Sequence, residues 1–167
     1  MEDTFTKFGP FIGILLELAL IALGLMLIRK HTKSKRKAAE ALNWPKALGR
    51  VTHSEILRSE SSDEDGTSFS YTPHIEYEYQ VSGQNYCSKQ VAFGGFSGTG
   101  SQKPAEKVVY KYPLNDSVSV YYNPTNPHEA VLEQNVGSGA RGALIGGIIL
   151  IAVSLLTVLP LLLGWFG

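Results

Sequence analysis

Two long apolar runs, residues 11–28 and 142–163, constrain this chain more than anything else in it. At a rise of about 1.5 Å per residue, the shorter run makes a helix about 27 Å long, enough to cross the hydrocarbon core of a bilayer. The expected fold class is a membrane protein with two transmembrane α-helices flanking a small, mainly β soluble domain. That domain is an antiparallel sheet or barrel-like body with one short helix. The expected divisions are a tail at 1–10, a span at 11–28, a basic helical stem at 29–43 and a β-rich domain at 44–136. A Gly-rich joint at 137–141, a second span at 142–163 and a tail at 164–167 complete the chain.

The charges give these runs a direction. Arg29, Lys30, Lys33, Lys35, Arg36 and Lys37 follow the first run, and only Lys7 precedes it; Arg141 precedes the second run and no charge follows it. Lys and Arg beside a span are retained on the cytoplasmic side. The expectation is a multi-pass protein of a bacterial inner (plasma) membrane, with the domain cytoplasmic and both termini outside. Phe5, Phe8, Trp165 and Phe166 then share the outer interface, where aromatic rings are favoured. A cleaved signal peptide would carry its basic residues before the run, which disfavours that reading. The six basic residues are expected to attract anionic lipid headgroups, by about 1 kcal/mol each.

The chain carries 15 Lys and Arg against 15 Asp and Glu, but the balance is uneven. Residues 38–141 hold eight Lys or Arg and twelve Asp or Glu, a net of −4. An acidic domain argues against nucleic acid as a partner, which needs a basic surface. Cys87 is the only cysteine, so no intramolecular disulfide forms; it reads as a packed thiol.

Within the domain, residues 48–57 read as a strand and 59–68 as an acidic loop too polar to order itself. Residues 74–81 alternate strictly, with Ile75, Tyr77, Tyr79 and Val81 on one face, which marks a half-buried strand. Turn residues at 82–85 lead to a return strand at 86–93. A flexible glycine loop at 94–101, a helix at 104–112 opened by Pro104, and strands at 117–122 and 130–133 follow. All eight tyrosines lie in this region. Tyr77, Tyr79, Tyr121 and Tyr122 are candidate partner-binding residues; Tyr121 and Tyr122 face opposite sides of their strand, so only one is expected in the core.

In the spans, Gly13, Glu17 and Gly24 share one helical face, and Gly142 and Gly146 form a G-x-x-x-G pair that lets helices approach closely. A carboxyl inside a span usually faces protein or water. Ser154 and Thr157, and the Leu156 carbonyl freed by Pro160, are the expected acceptors for a protonated Glu17. These residues are the expected helix-packing set. Elsewhere the motifs fail. Gly95 and Gly100 have phosphate-loop spacing, but Ser101-Gln102 stands where Lys-Ser/Thr is required. Gly95-Phe96-Ser97-Gly98 is followed by Thr99, not the glycine of a nucleophile elbow. His128-Glu129 opens a zinc motif that Leu132 breaks, and Asp63-Glu64-Asp65-Gly66 lacks the later ligands of a calcium loop. No catalytic, cofactor-binding or metal-ligating residue is nominated, and no enzyme is expected.

The stretch Val118-Ser119-Val120-Tyr121-Tyr122-Asn123-Pro124-Thr125-Asn126-Pro127, with Tyr110-Lys111-Tyr112-Pro113 before it and Ala130-Val131-Leu132-Glu133 after it, resembles a known family. It is similar to the bacterial membrane proteins grouped as domain of unknown function 3592. Trp44-Pro45, Gly49-Arg50-Val51 and Pro73-His74-Ile75-Glu76-Tyr77-Glu78-Tyr79 match in order. Leu114-Asn115-Asp116 departs from it, standing where the family often has a glycine turn; Asn and Asp serve such a turn too. The resemblance implies a small β-rich domain between two membrane helices and no activity. The functional expectation is a non-catalytic accessory or assembly subunit of a larger membrane complex, with other membrane subunits as partners. The alternative is a membrane-tethered ligand-binding or sensor domain.

Overall fold

A computed structural model describes residues 2–64 and 66–162, with side chains over 13–64 and 66–158. The Phe5 and Phe8 side chains, the Pro160 ring and the tail at 164–167 with Trp165 and Phe166 lie outside what is described. The chain divides into two units, one of residues 1–32 and 142–167 and one of residues 33–141. Helix α1 spans Glu2–Ala41, β1 Lys46–Asp63, β2 Gly66–Val81, β3 Gln84–Ser88, α2 Lys103–Lys111, β4 Ser117–Asn123, β5 Asn126–Val131 and α3 Ser138–Leu162.

The five strands form one antiparallel, open sheet in the order β3-β2-β1-β4-β5. Sequence decides most of its turns. Ser82 and Gly83 both adopt positive φ, 52° and 82°, and close the β2–β3 hairpin in two residues, the geometry that matches strand twist. Asn115, at φ 67°, makes the turn before β4, as an Asn can. Helix α1 ends at Ala41, just ahead of Trp44-Pro45, because the residue before proline is pushed out of the helical region.

Three expectations need correction here. The acidic stretch 59–68 is not a loop: β1 and β2 pair without interruption from Ile75 opposite Ser54 to Gly66 opposite Asp63. A two-stranded ribbon satisfies its backbone groups within itself, so its side chains can stay exposed. Arg58 adds a cross-strand contact, its guanidinium 3.9 Å from the Phe69 ring centroid. Of the two expected bodies, the antiparallel sheet is the one that forms, and it is open rather than barrel-like. The last strand begins earlier than expected, at Asn126, on a turn of Pro124 and Thr125 alone. Only one helix, Ser138–Val158 within α3, is long and apolar enough among the described residues to cross a membrane, at a mean hydropathy of 2.1. A second spanning helix is not shown.

The sheet carries a core on each face. One cluster joins Val51, Ile75, Tyr77, Val120 and Leu132, with α2 supplying Val108 and Val109. The other joins Ala38 and Ala41 of α1 to Phe93 and Val131, flanked by Trp44 and Tyr121. Trp44 meets Phe93 edge-to-face at 5.6 Å.

Candidate functional site

In the helical unit, the close approach is made by Gly24 and Gly147. A Cβ at Gly147 would stand 2.7 Å from the Gly24 carbonyl oxygen, and one at Gly24 would stand 2.8 Å from Ile151 Cγ1. Thr157 Oγ1 donates to Glu17 Oε1 at 2.7 Å. Ser154 is fully buried, and its Oγ and Glu17 Oε2 have no hydrogen-bond partner among the described residues. Gly13, Gly142 and Gly146, also in the expected packing set, take no part in this contact within the chain: a Cβ added at Gly13 or Gly146 would meet nothing within 4 Å, and Gly142 is exposed. The helical period explains the displacement. At about 100° per residue, Gly147 lies about 20° from the azimuth of Ser154, and Gly146 lies about 80° away. The adjacent glycines are visible in the sequence; only the face shared with Ser154 selects between them. Glu17→Leu is expected to disturb assembly more than Glu17→Gln, since only glutamine keeps an acceptor for Thr157. Native pull-down yields compare the two, and equal wild-type yields for both would sink the idea.

In the sheet unit, the basic stem is partly committed. Lys37 forms an ion pair with Glu129, and Asn123 Nδ2 donates to the other Glu129 oxygen at 3.1 Å. Lys37 is therefore withdrawn from the headgroup set. Arg36 pairs with Glu40 at 3.4 Å on the exposed face. Arg29, Lys30, Lys33 and Lys35 are exposed. Burial pushes the Glu129 carboxyl up, but Lys37 and Asn123 outweigh it and hold the group below its ordinary value. Glu133 behaves alike: burial raises it, while Lys111, Asn135 and Tyr112 lower it further. It accepts from Lys111 Nζ at 2.6 Å, Tyr112 OH at 2.9 Å and Asn135 Nδ2 at 2.9 Å. The Glu133 bond raises Lys111.

These directions set a pH dependence. A depressed carboxyl contributes stability above its unfolded value, near 4.5, that is lost as pH falls through its folded value. A raised ammonium contributes stability below its unfolded value, near 10.5, that is lost as pH rises through its folded value. Urea midpoints are expected to decline on both limbs, with Glu133→Gln flattening the acid one.

The tyrosines divide by burial. Tyr77 and Tyr79, named as binding candidates, are core residues instead, 0% and 4% exposed. Alternation does place them on one face, but that face is the buried one. The Tyr77 hydroxyl lies 2.9 Å from the Gln90 carbonyl and 3.0 Å from that of Ala130, and burial raises its pKa. The Tyr79 hydroxyl donates to the Pro127 carbonyl, and burial pushes it to about 12. Tyr121 and Tyr122 are half-buried on opposite faces, and each packs against a different core cluster, so both serve the core. Cys87 is exposed rather than packed, because it points away from the Tyr86 face of its strand.

The glycine loop at 94–101 is held, not loose. Gly137 N donates to Phe93 O at 2.8 Å, Gly139 N to Gly95 O at 3.0 Å and Ser97 N to Ser138 Oγ at 3.1 Å. Sequence reasoning misses this clamp, along with Gly147, Glu129 and Glu133. The spaced glycines on both sides of the clamp are its only signal. No three His, Cys, Asp or Glu side chains group as metal ligands among the described residues.

The segment that forms most of the sheet unit also matches a family model, a domain of unknown function (DUF3592), over residues 47–137. The chain belongs to this family. The match opens in β1 and closes at the glycine that begins the clamp, so in this DUF3592 chain it follows the sheet unit and leaves α1 and α3 outside. No curated protein matches the chain.

Proposed function

We propose that this DUF3592 chain is a non-catalytic accessory or assembly subunit of a larger membrane complex in the bacterial plasma membrane. It packs on other membrane subunits through its apolar helices and docks its sheet unit on them from the cytoplasmic side. Arg29, Lys30, Lys33 and Lys35 rest against anionic headgroups. The observation that carries this reading is the built-in stem and joint. Ala38 and Ala41 are core residues of the sheet, and Gly137 and Gly139 are bonded to the loop at 93–95. The stem and joint segments, which could have served as linkers, are instead built into the sheet unit, as a docking body with fixed ends would require. Two titratable groups of the sheet unit are likewise engaged, Tyr77 with carbonyls and Glu133 with three donors.

The competing ligand-binding reading rests on a groove of about 320 Å³ lined by Leu48, Arg50, Glu78 and Asn85 among others. Solubilisation under near-native conditions, followed by size analysis and identification of co-migrating chains, separates the two. Other membrane proteins in a defined stoichiometry support the subunit reading. A chain free of other proteins, with a melting point raised by metabolites, favours the ligand-binding one.

A further inference from the structure

We propose that the open edge of β1 pairs antiparallel with the same edge of a second copy, about a two-fold axis through Ser59. On that side, β4 covers β1 only from Lys46 to Arg50. Val51 is capped by backbone bonds to Asn115 and Asp116. From residue 52 to residue 62, no strand among the described residues lies against this edge.

The corresponding edge of β2 is treated differently. Strand β3 covers Tyr77–Val81, Tyr71 and Thr99 exchange backbone bonds of 2.9 and 3.1 Å, and Gly98 packs against Ser70 and Thr72. The β2 side is covered at 70–72 and 77–81, whereas the β1 side has no such cover from 52 to 62 among the described residues and is left as a template for a strand.

Glu55, Arg58 and Glu60 stand along the open edge. Scattered charges usually guard an edge against pairing. Their order here does something more specific. When an edge pairs antiparallel with itself, opposed residues share the same hydrogen-bonding parity, so the axis passes through a residue. An axis at Ser59 sets Arg58 opposite Glu60 of the second copy, twice. An axis at Arg58 or Glu60 opposes like charges at its centre. An axis at Leu57 sets Arg58 opposite Ile56 and Glu60 opposite Ser54, with no charge pair. The Ser59 register has one unfavourable pair, Glu55 opposite Asp63, at its end.

The surroundings agree with that register. Arg58 is held over the Phe69 ring, which presents its guanidinium on the face of Ile56. Beside that face runs a groove of about 680 Å³ lined by Ile56, Lys103, Glu106, Lys107, Val109 and Tyr110. The register sets Ser62 of the second copy opposite Ile56, which carries Asp63 and Glu64 of that copy towards Lys103 and Lys107. The complementarity selects a second copy over an unrelated strand.

The test uses the full chain in detergent, with Cys87→Ser to remove the exposed thiol. Ser59→Cys places two thiols on the axis, where opposed Cα atoms are about 5 Å apart, within disulfide reach. Ser61→Cys places them four residues apart along the strands, roughly 14 Å, beyond reach. Oxidation is expected to yield a covalent dimer from the first and none from the second. Glu60→Arg is expected to weaken the dimer about tenfold, and Glu60→Arg with Arg58→Glu to restore it. Equal cross-linking at 59 and 61, or a monomer throughout, overturns the pairing. A monomer that still co-purifies with other subunits overturns it while leaving the subunit reading intact.

Discussion

Alanine at Gly137 is expected to cost about 3 kcal/mol of stability, and alanine at Gly94 at least as much. The added Cβ at Gly137 would run into the backbone carbonyl of Gly95, and backbone cannot rotate away as a side chain can. At Gly94 the Cβ would collide with Ala140 Cβ and meet Ser34 Oγ at 3.0 Å, on a residue whose φ of 83° already disfavours an L side chain. Either change forces open the clamp that bonds residues 137 and 139 to 93 and 95. The control is Gly146→Ala, where nothing stands within 4 Å and a helical alanine is intrinsically favoured by about 1 kcal/mol. Urea titration of the full chain in detergent is expected to move the midpoint down for Gly137→Ala and Gly94→Ala and to leave Gly146→Ala level or raised. A wild-type midpoint for Gly137→Ala would mean that the clamp can relax.

Tyr77 is the second position of large effect. Its ring is fully buried and its hydroxyl serves two carbonyls. Tyr77→Ala is expected to cost about 3–5 kcal/mol, through lost burial and a residual cavity. Tyr77→Phe keeps the ring and is expected to cost about 1–2 kcal/mol, the deficit of carbonyls left short of a donor. Ser88 Oγ also reaches the Ala130 carbonyl, at 3.3 Å, which moderates that loss. Tyr110, 91% exposed, is the contrast, since Tyr110→Ala is expected to stay within about 0.5 kcal/mol. If the Tyr77→Phe midpoint equalled that of Tyr77→Ala, the hydroxyl rather than the ring would be the dominant contributor.

How far this chain can be read from its residues follows from which forces are local. The Ser82-Gly83 hairpin, the Asn115 turn, the α2 helix and the alternation of Ile75, Tyr77 and Tyr79 are all local, and the residues announce them. The β1–β2 ribbon is hidden because its stability comes from cross-strand backbone bonds, which polar residues at 59–68 do not advertise. Tyr77 and Tyr79 share a face as their spacing says, yet that face is no surface, since periodicity gives a face without saying what covers it. Glu129 and Glu133 draw their partners from 92 and 22 residues away in sequence, a pairing no window reveals. Counting depth from opposite ends of the apolar runs brings Glu17 and Thr157 together, and the structure puts them in one hydrogen bond, with Thr157 the donor rather than the expected acceptor.

The strand order has a kinetic side. Three of the four strand pairings join neighbours in the chain, so each can zip from its own turn. The exception is β1 with β4, five residue pairs that close a loop from Lys46 to Tyr121. Loop entropy is lost there before any contact rewards it. That short seam, with Gly49 fitted against Val120 inside it, is where the two halves of the sheet wait for one another during folding.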